Sequence, residues 1–444
     1  MNPVQTAAVN NAMKIVYAQP LYRDIVMESE LMSMFQEDMN VQHDESTGGQ
    51  YITTAHYVRL AGAAGARVEN DYIPESQDPV FQNARIYLKK IMGTIEATGD
   101  VFDRVTGDEG SFLNFMQQAL PGVKERVTNE LDRMYIGWGR GIKARINGVP
   151  VQGNGYIVVD SALGVAGYED AWLQFTEGEK IVFSASDTGS PLKDPGTTQS
   201  ALITSIDEVN NRLYITAATS LWNAIANDDY IFGGDGAGTS APAGGTTDKE
   251  LSGLLAGVDD GSIVSTYHNI DRTAAGNRFW VGRVKDASGA PYNGEVTEQL
   301  FITQDAKVRT ISGKKITHVV MSVHGPIGYW MDMKTDRSLN DPRRYTGGVE
   351  YPLQVVLGDR TVPLRTARKL PPQVAFMLHA PSWRRWTNGT WRWDDRTGSI
   401  WKPVSDGTGR KDSVYAFGKM YEALGCFMPR ANLRIEGLNR QFDY

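Results

Sequence analysis

The sequence predicts an α+β chain: a body of one long helix and mixed sheets, a projecting β-hairpin, and a small inserted β unit. Three observations predict it. Apolar residues recur at helical spacing from Phe112 to Tyr135. Short β-type runs separated by turn clusters fill 150–250. Residues 45–85 are rich in Gly and Ala, alternate like strands, and carry no apolar stripe.

The helix is the clearest element. After GDEGS, with Ser111 as N-cap, Phe112, Phe115, Met116, Ala119, Leu120, Val123, Val127, Leu131, Met134 and Tyr135 form one stripe. Lys124, Glu125, Arg126, Asp132 and Arg133 fall on the other side. Pro121 lacks an amide proton and is expected to kink or split the helix, and Gly137, Gly139 and Gly141 to end it. Residues 1–44 read as an arm, because the clusters Ile25–Val26 and Leu31–Phe35 share no sustained period. In 45–85, strand-prone runs around 51–60 and 80–92 flank a Gly/Ala tip, which makes a long hairpin with little core of its own. Such a segment has to lean on something else.

Between 150 and 250, GEKIVFSAS, SALITSIDEV and RLYITAAT, with NNR at 210–212 as a hairpin turn, predict a small β-barrel or sandwich. It leaves through the linker GGDGAGTSAPAGGTTDKE. From 251 a helix at 295–312, the strand KITHVVMSV and a short helix GPIGYWMDMK precede a strand-rich 346–444. The segments are therefore 1–44, 45–85, 86–149, 150–250 and 251–444.

At 444 residues the chain exceeds one compact core, and 41% hydrophobic with 22% charged residues fits a folded chain. One cysteine, Cys426, excludes an internal disulfide framework and any CxxC spacing. No apolar run reaches the ~18–20 residues of a membrane span, and the opening residues are polar, so a soluble protein in a reducing compartment is expected. The net charge of -7 argues against general nucleic-acid affinity. It is unevenly spread: 251–444 holds 27 basic and 19 acidic residues, and 1–250 holds 18 and 33. Opposite halves can pair within one copy or between copies, or the basic half can face an anion.

No catalytic, cofactor or metal site is expected. GWGRG (137–141) and GGDGAG (233–238) do not join a hydrophobic strand to a helix, and no GK[ST] follows. The six histidines (43, 56, 268, 318, 324, 379) lack ligand spacing, and Cys426 in ALGCFMP reads as a buried, inert thiol. The neighbours Asp259–Asp260 and Asp394–Asp395 would point to opposite faces of a strand, which suits solvation better than shared acid–base work.

The stretch WRRWTNGTWRWDD (383–395) is the one concentrated signal. Asn388-Gly389 is the pair that a type I′ turn uses, and it predicts a hairpin pairing Trp386 with Trp391 and Arg385 with Arg392. Trp386, Trp391, Arg384 and Trp393 would share one face. The opposed arginines need an anion, from Asp394 or Asp395, from a neighbouring subunit, or from nucleic acid. Local structure, subunit contact and a nucleic-acid or glycan site are thus all open readings.

The order of parts resembles the major capsid proteins of tailed bacteriophages. ARVENDYIPESQDPVFQNARIYLKKIMGTIEATGDVFDR is similar to the stretch where their extended loop passes into the peripheral domain, at Glu69, Ile73, Pro74, Glu75, Ser76, Asp78, Pro79, Phe81, Lys89 and Lys90. KITHVVMSVHGPIGYWMDM, LGDRTVPLRTARKLPPQVAFMLHAPSW and YAFGKMYEALGCFMPRANLRIEGL are similar to their axial core and closing strands. The resemblance covers about 1–150 and 251–440 and implies a Hong Kong 97-like fold. Its parts would be an N-terminal arm, extended loop, spine helix, mixed axial domain and an inserted β domain. It implies a shell subunit, not an enzyme, forming hexamers and pentamers around double-stranded DNA contacted non-specifically. It also implies a virion location after assembly in the host cytoplasm, with a separate scaffolding protein, a portal and in some cases a decoration protein as partners.

The alternative is the shell of a cell-encoded compartment that loads proteins. Residues 45–85 contain no lysine, so cross-linking through a loop lysine is not expected. Candidates for subunit contact are Arg59, Arg67, Glu69, Glu75, Arg385 and Arg392, and Trp386, Asn388, Gly389 and Trp391 are assigned to the structural hairpin.

Overall fold

A computed structural model describes residues 31, 36–38, 51–59, 62–69, 72, 76, 78–98, 123, 126–127, 129–160, 170–193, 200–234, 249–329, 354–387, 391–395, 398, 400–405 and 410–439. Ser111 and Pro121, the expected cap and kink of the long helix, lie outside them.

The body is organised on one long strand, Arg410–Cys426. Its period-two pattern buries Ala416, Gly418, Met420, Glu422, Leu424 and Cys426 on one face. Lys89–Thr98 pairs antiparallel along one edge, from Lys89 opposite Glu422 to Thr98 opposite Ser413. Trp383–Thr387, Arg392–Trp393 and Lys402–Ser405 follow one another along the other edge, and Gln36–Asp38 adds a parallel strand outside the first. The helix, whose described residues are 123, 126–127 and 129–136, lies on the buried face through Val127, Leu131 and Tyr135, spaced at i, i+4 and i+8.

The expected tryptophan hairpin does not form. Trp383 faces Cys426, Thr387 faces Glu422, and Arg392 faces Lys419, so the chain continues in one direction instead of reversing after Thr387. Asn388 and Gly389 lie outside the described residues. A two-stranded hairpin has no core, whereas an edge of the long strand offers ladder bonds and cover for every indole. Trp383, Trp386, Trp391 and Trp393 are all buried. Trp391 does not pair with Trp386. It stands edge-on to Trp393 at 6.0 Å, while Trp386 stands edge-on to Phe427 at 5.4 Å on the opposite face.

Gly93 and Gly418 are register partners, and the Trp391 indole lies in the notch they leave. A Cβ on Gly418 would stand 2.1 Å from the indole, and one on Gly93 would meet Trp391 and Val127, both at 3.0 Å.

A second departure concerns Arg133. The stripe places it toward solvent, but it is buried and donates to Glu250 (2.9 Å) and Glu130 (3.0 Å). The reason lies in the next segment. The chain enters a barrel directly after the glycines that end the helix, and its first strand, Ile142–Ile146, starts ahead of residue 150, where the composition changes. Tyr156–Asp160, Lys180–Ser184, Ser200–Asp207, Arg212–Thr216 and Tyr230–Gly233 complete a closed barrel filled by residues such as Ile142, Ile157, Phe183, Ile203, Leu213 and Ile231. The barrel returns over the helix. Lys143 bridges Glu130 and Glu179 at 2.5 Å each, and Glu250 takes Arg133. Burial alone would raise the Glu130 pKa, but Lys143 and Arg133 hold it well below the usual carboxylate range.

A second, mixed sheet runs in the order Arg283–Asp286, Leu433–Glu436, Ala375–Leu378, His318–Met321, Thr361–Thr366, Gln354–Val356. The helix Glu298–Ser312 packs on it through Leu300, Phe301 and Val308. Thr297 caps its start, accepting from the Leu300 amide, and Gly313 at φ 67° ends it.

The notch yields a prediction. Gly418→Ala should cost about 1–3 kcal/mol by overpacking, and Trp391→Ala about 3–5 kcal/mol by cavity formation. Chemical denaturation reads both. A Gly418→Ala variant as stable as the parent would mean that the indole does not occupy the notch.

Candidate functional site

Among the described residues no group of three His, Cys, Asp or Glu side chains is placed to hold a metal ion, and no helix is long and apolar enough to cross a membrane. Burial pushes the Cys426 thiol up to about 12, and its sulfur lies 3.3 Å from Asn432 Nδ2, a packed and unreactive position.

The feature left without an explanation inside the chain is the hairpin of Tyr51–Arg59 and Val80–Tyr87. Its register sets Ile52 opposite Ile86, Thr54 opposite Ala84 and His56 opposite Gln82 on one face. That face is anchored. Ile86 packs with Trp386 and Ala423, with Ile52 and Phe427 against them. The His56 ring lies 4.7 Å from that of Trp280, and the Arg85 amide donates to the His268 carbonyl at 2.9 Å. Within 45–85, Ala84 is fully buried.

The other face sets Tyr51 opposite Tyr87, Thr53 opposite Arg85, Ala55 opposite Asn83 and Tyr57 opposite Phe81. Tyr57 is 60% exposed and Phe81 49%, with their rings 4.4 Å apart. Tyr87 is 44% exposed, its ring 5.6 Å from that of Tyr51, over which the Arg85 guanidinium sits at 5.2 Å. Cross-strand aromatic pairs normally earn their place by excluding water, and these do so on one side only. The exposed Val68 and Tyr72 extend the same character into the loop beyond.

The predicted contact residues separate into two groups. Arg59, Arg67 and Glu69 are exposed on the hairpin and its loop, with Arg59 Nε donating to the Asp78 carbonyl at 3.2 Å. Glu75 lies outside the described residues. Arg392 is exposed beside the long strand. Arg385 is not a contact residue: it is 1% exposed and binds Glu422 Oε1 at 2.5 Å, a carboxylate that also accepts from the Tyr135 hydroxyl. The two arginines are not opposite each other, because Arg385 faces Leu424 and Arg392 faces Lys419. Asp394, the expected partner of one of them, instead takes Lys402 and Lys419. Sequence reading missed Glu422 and Tyr135 because their pairing depends on strand order; a lone acid in the apolar run MYEALGC was the available signal.

No family model matches the chain, and no curated protein matches it. Among solved structures it is similar to the capsid of cyanophage A-1(L), at 9% identity and a TM-score of 0.48, over 91% of each chain. The capsid of a native GTA particle gives 7% identity and 0.43 over 92% of this chain and 90% of that one. A holo-encapsulin complex from Synechococcus elongatus gives 9% and 0.37 over 93% and 89%.

Arg385→Ala should strand the Glu422 carboxylate in the core and cost about 3–5 kcal/mol, while Arg392→Ala should stay within about 0.5 kcal/mol. Urea unfolding of the two variants separates them. Equal, small losses would place Arg385 at the surface.

Proposed function

We propose that this chain is the major capsid protein of a tailed bacteriophage. It assembles into hexamers and pentamers of a shell around double-stranded DNA and carries out no catalysis. The observation that carries the reading is the hairpin, anchored on one face and bearing an uncovered aromatic row on the other. A two-stranded ribbon is marginal in water unless a second surface covers it. A neighbouring copy supplies such a surface, and obligate assembly interfaces commonly bury about 2,000–5,000 Å². The finer fold reading is Hong Kong 97-like, with arm, extended loop, spine helix, inserted barrel and axial domain in that order. An acidic N-terminal and a basic C-terminal half suit contacts between copies better than a polyanion site spread over the chain. A separate scaffolding protein and a portal are the partners that this reading calls for.

Size and electron microscopy of the expressed protein test it. The parent protein should form closed shells of uniform diameter. Tyr57→Ser combined with Phe81→Ser should remain a folded subunit of 49.0 kDa with an unchanged melting temperature and no shells. A parent protein that stays monomeric, or a double variant that assembles as well as the parent, overturns the reading. Protein cargo in place of DNA inside particles from the natural source would favour the compartment.

A further inference from the structure

The barrel turns alternate residues of each strand outward, and two neighbouring strands put aromatic rings and unmatched charges on that side. In Tyr156–Asp160 the outward residues are Tyr156, Val158 and Asp160, and in Arg212–Thr216 they include Arg212 and Tyr214. The register sets Val158 beside Arg212 and Tyr156 beside Tyr214, whose rings meet edge-on at 5.6 Å. All five are half-buried.

Arg212 is held in place but not neutralised. Its guanidinium lies over the Tyr156 ring at 4.5 Å, and among the described residues its buried Nε has no hydrogen-bond partner and the group no ion pair. Its register partner on the other side is Asp207, but that carboxylate is committed to its own turn. It accepts from the Asn210 side chain at 2.8 Å and from the Val209 and Asn210 amides at 3.2 Å each. Arg145, two strands away, shows the complete arrangement: it stacks on Tyr230 at 5.1 Å and also pairs with Asp228 at 3.1 Å.

Asp160 is the opposite case. It stands across from Arg145, which turns to Asp228 and leaves it without an ion pair among the described residues. Burial raises its pKa, with Arg145 opposing and Asp228 reinforcing the shift, so its ionised form is short of a cation. Arg212 is not among the charges that act on it. Two residues along one strand and one strand across put the two Cα atoms roughly 8 Å apart.

We propose that this wall of the barrel is a contact between two copies of the chain related by a two-fold axis, in which Arg212 of each copy faces Asp160 of the other. An unmatched cation and an unmatched anion on one surface are self-complementary, and an isologous contact uses both twice. Stacking on Tyr156 fixes the guanidinium fork ahead of binding, and Val158 and Tyr214 supply apolar surface beside it. The inference rests on the reading that the chain assembles with itself, which does not by itself require this contact.

Cysteine pairs test it. Cys426 is the only cysteine and is buried, so it stays out of the reaction. Arg212→Cys with Asp160→Cys in one chain cannot bridge internally, because the Cα separation exceeds the ~7 Å limit of a disulfide. Mild oxidation of assembled protein should convert most of this variant to a linked dimer on a non-reducing gel, and neither single variant should link. Charge exchange gives a second reading. Arg212→Asp alone should lower particle yield at least about threefold, and adding Asp160→Arg should restore most of it. Circular dichroism with thermal melts checks that each variant folds, and the cysteine variants serve should Arg212→Asp not. Particles in which the double-cysteine variant stays unlinked, links in either single variant, or a charge exchange no better than Arg212→Asp would overturn the contact and spare the shell reading. Linked dimers from protein that never forms particles would keep the contact and overturn the shell.

Discussion

A carboxylate taken out of water has to be neutralised, and the body of this chain is arranged around one that is. Glu422 lies toward the C-terminal end of the long strand with no exposed surface. Arg385 reaches it from the neighbouring edge strand and Tyr135 from the helix. The desolvation of a buried ion pair roughly cancels its attraction, so the pair contributes little net stability over an apolar core. Its consequence is registration. A slip of one residue in Trp383–Thr387 would turn Arg385 to the other face and leave a bare charge inside. The Gly93–Gly418 notch fixes the same relation four residues back along the strand, since only a pair of glycines in register leaves room for the Trp391 indole beneath Val127.

With the sheet registered in this way, the hairpin is fixed by what lies on the sheet's other face. Trp386 and Phe427 stand there, and Ile52 and Ile86 close over them. The hairpin is therefore held firmly at its root and carried outward on a rigid base. Its outer aromatic row faces away from every cluster that packs the body.

Much of this was legible in the sequence wherever period and burial agree locally. The spacing of Val127, Leu131 and Tyr135 gave a helix, GEKIVFSAS and RLYITAAT gave strands of the barrel, and the helix expected at 295–312 is found at Glu298–Ser312. The misreadings share one cause. Asn388-Gly389 is a strong local turn signal, but the competing partner, an edge of the Arg410–Cys426 strand, lies more than twenty residues further along. Arg133 on the polar side of a stripe and Arg385 beside a second arginine both read as solvent-facing, because Glu250 and Glu422 are distant in sequence. Long-range pairing of charges is what periodicity cannot encode. At the hairpin the loop charges Arg59, Arg67 and Glu69 are exposed, while the aromatic row became visible only once the register set Tyr57 against Phe81.

The claim that a neighbouring copy covers the outer face of the hairpin is tested most directly by amide hydrogen exchange on assembled particles and on subunits dissociated from them. The amides of 51–59 and 80–87 should exchange at least about tenfold more slowly in the particle, while those of the central long strand, already buried within the subunit, should not change. Equal exchange of the hairpin in both states would contradict the account.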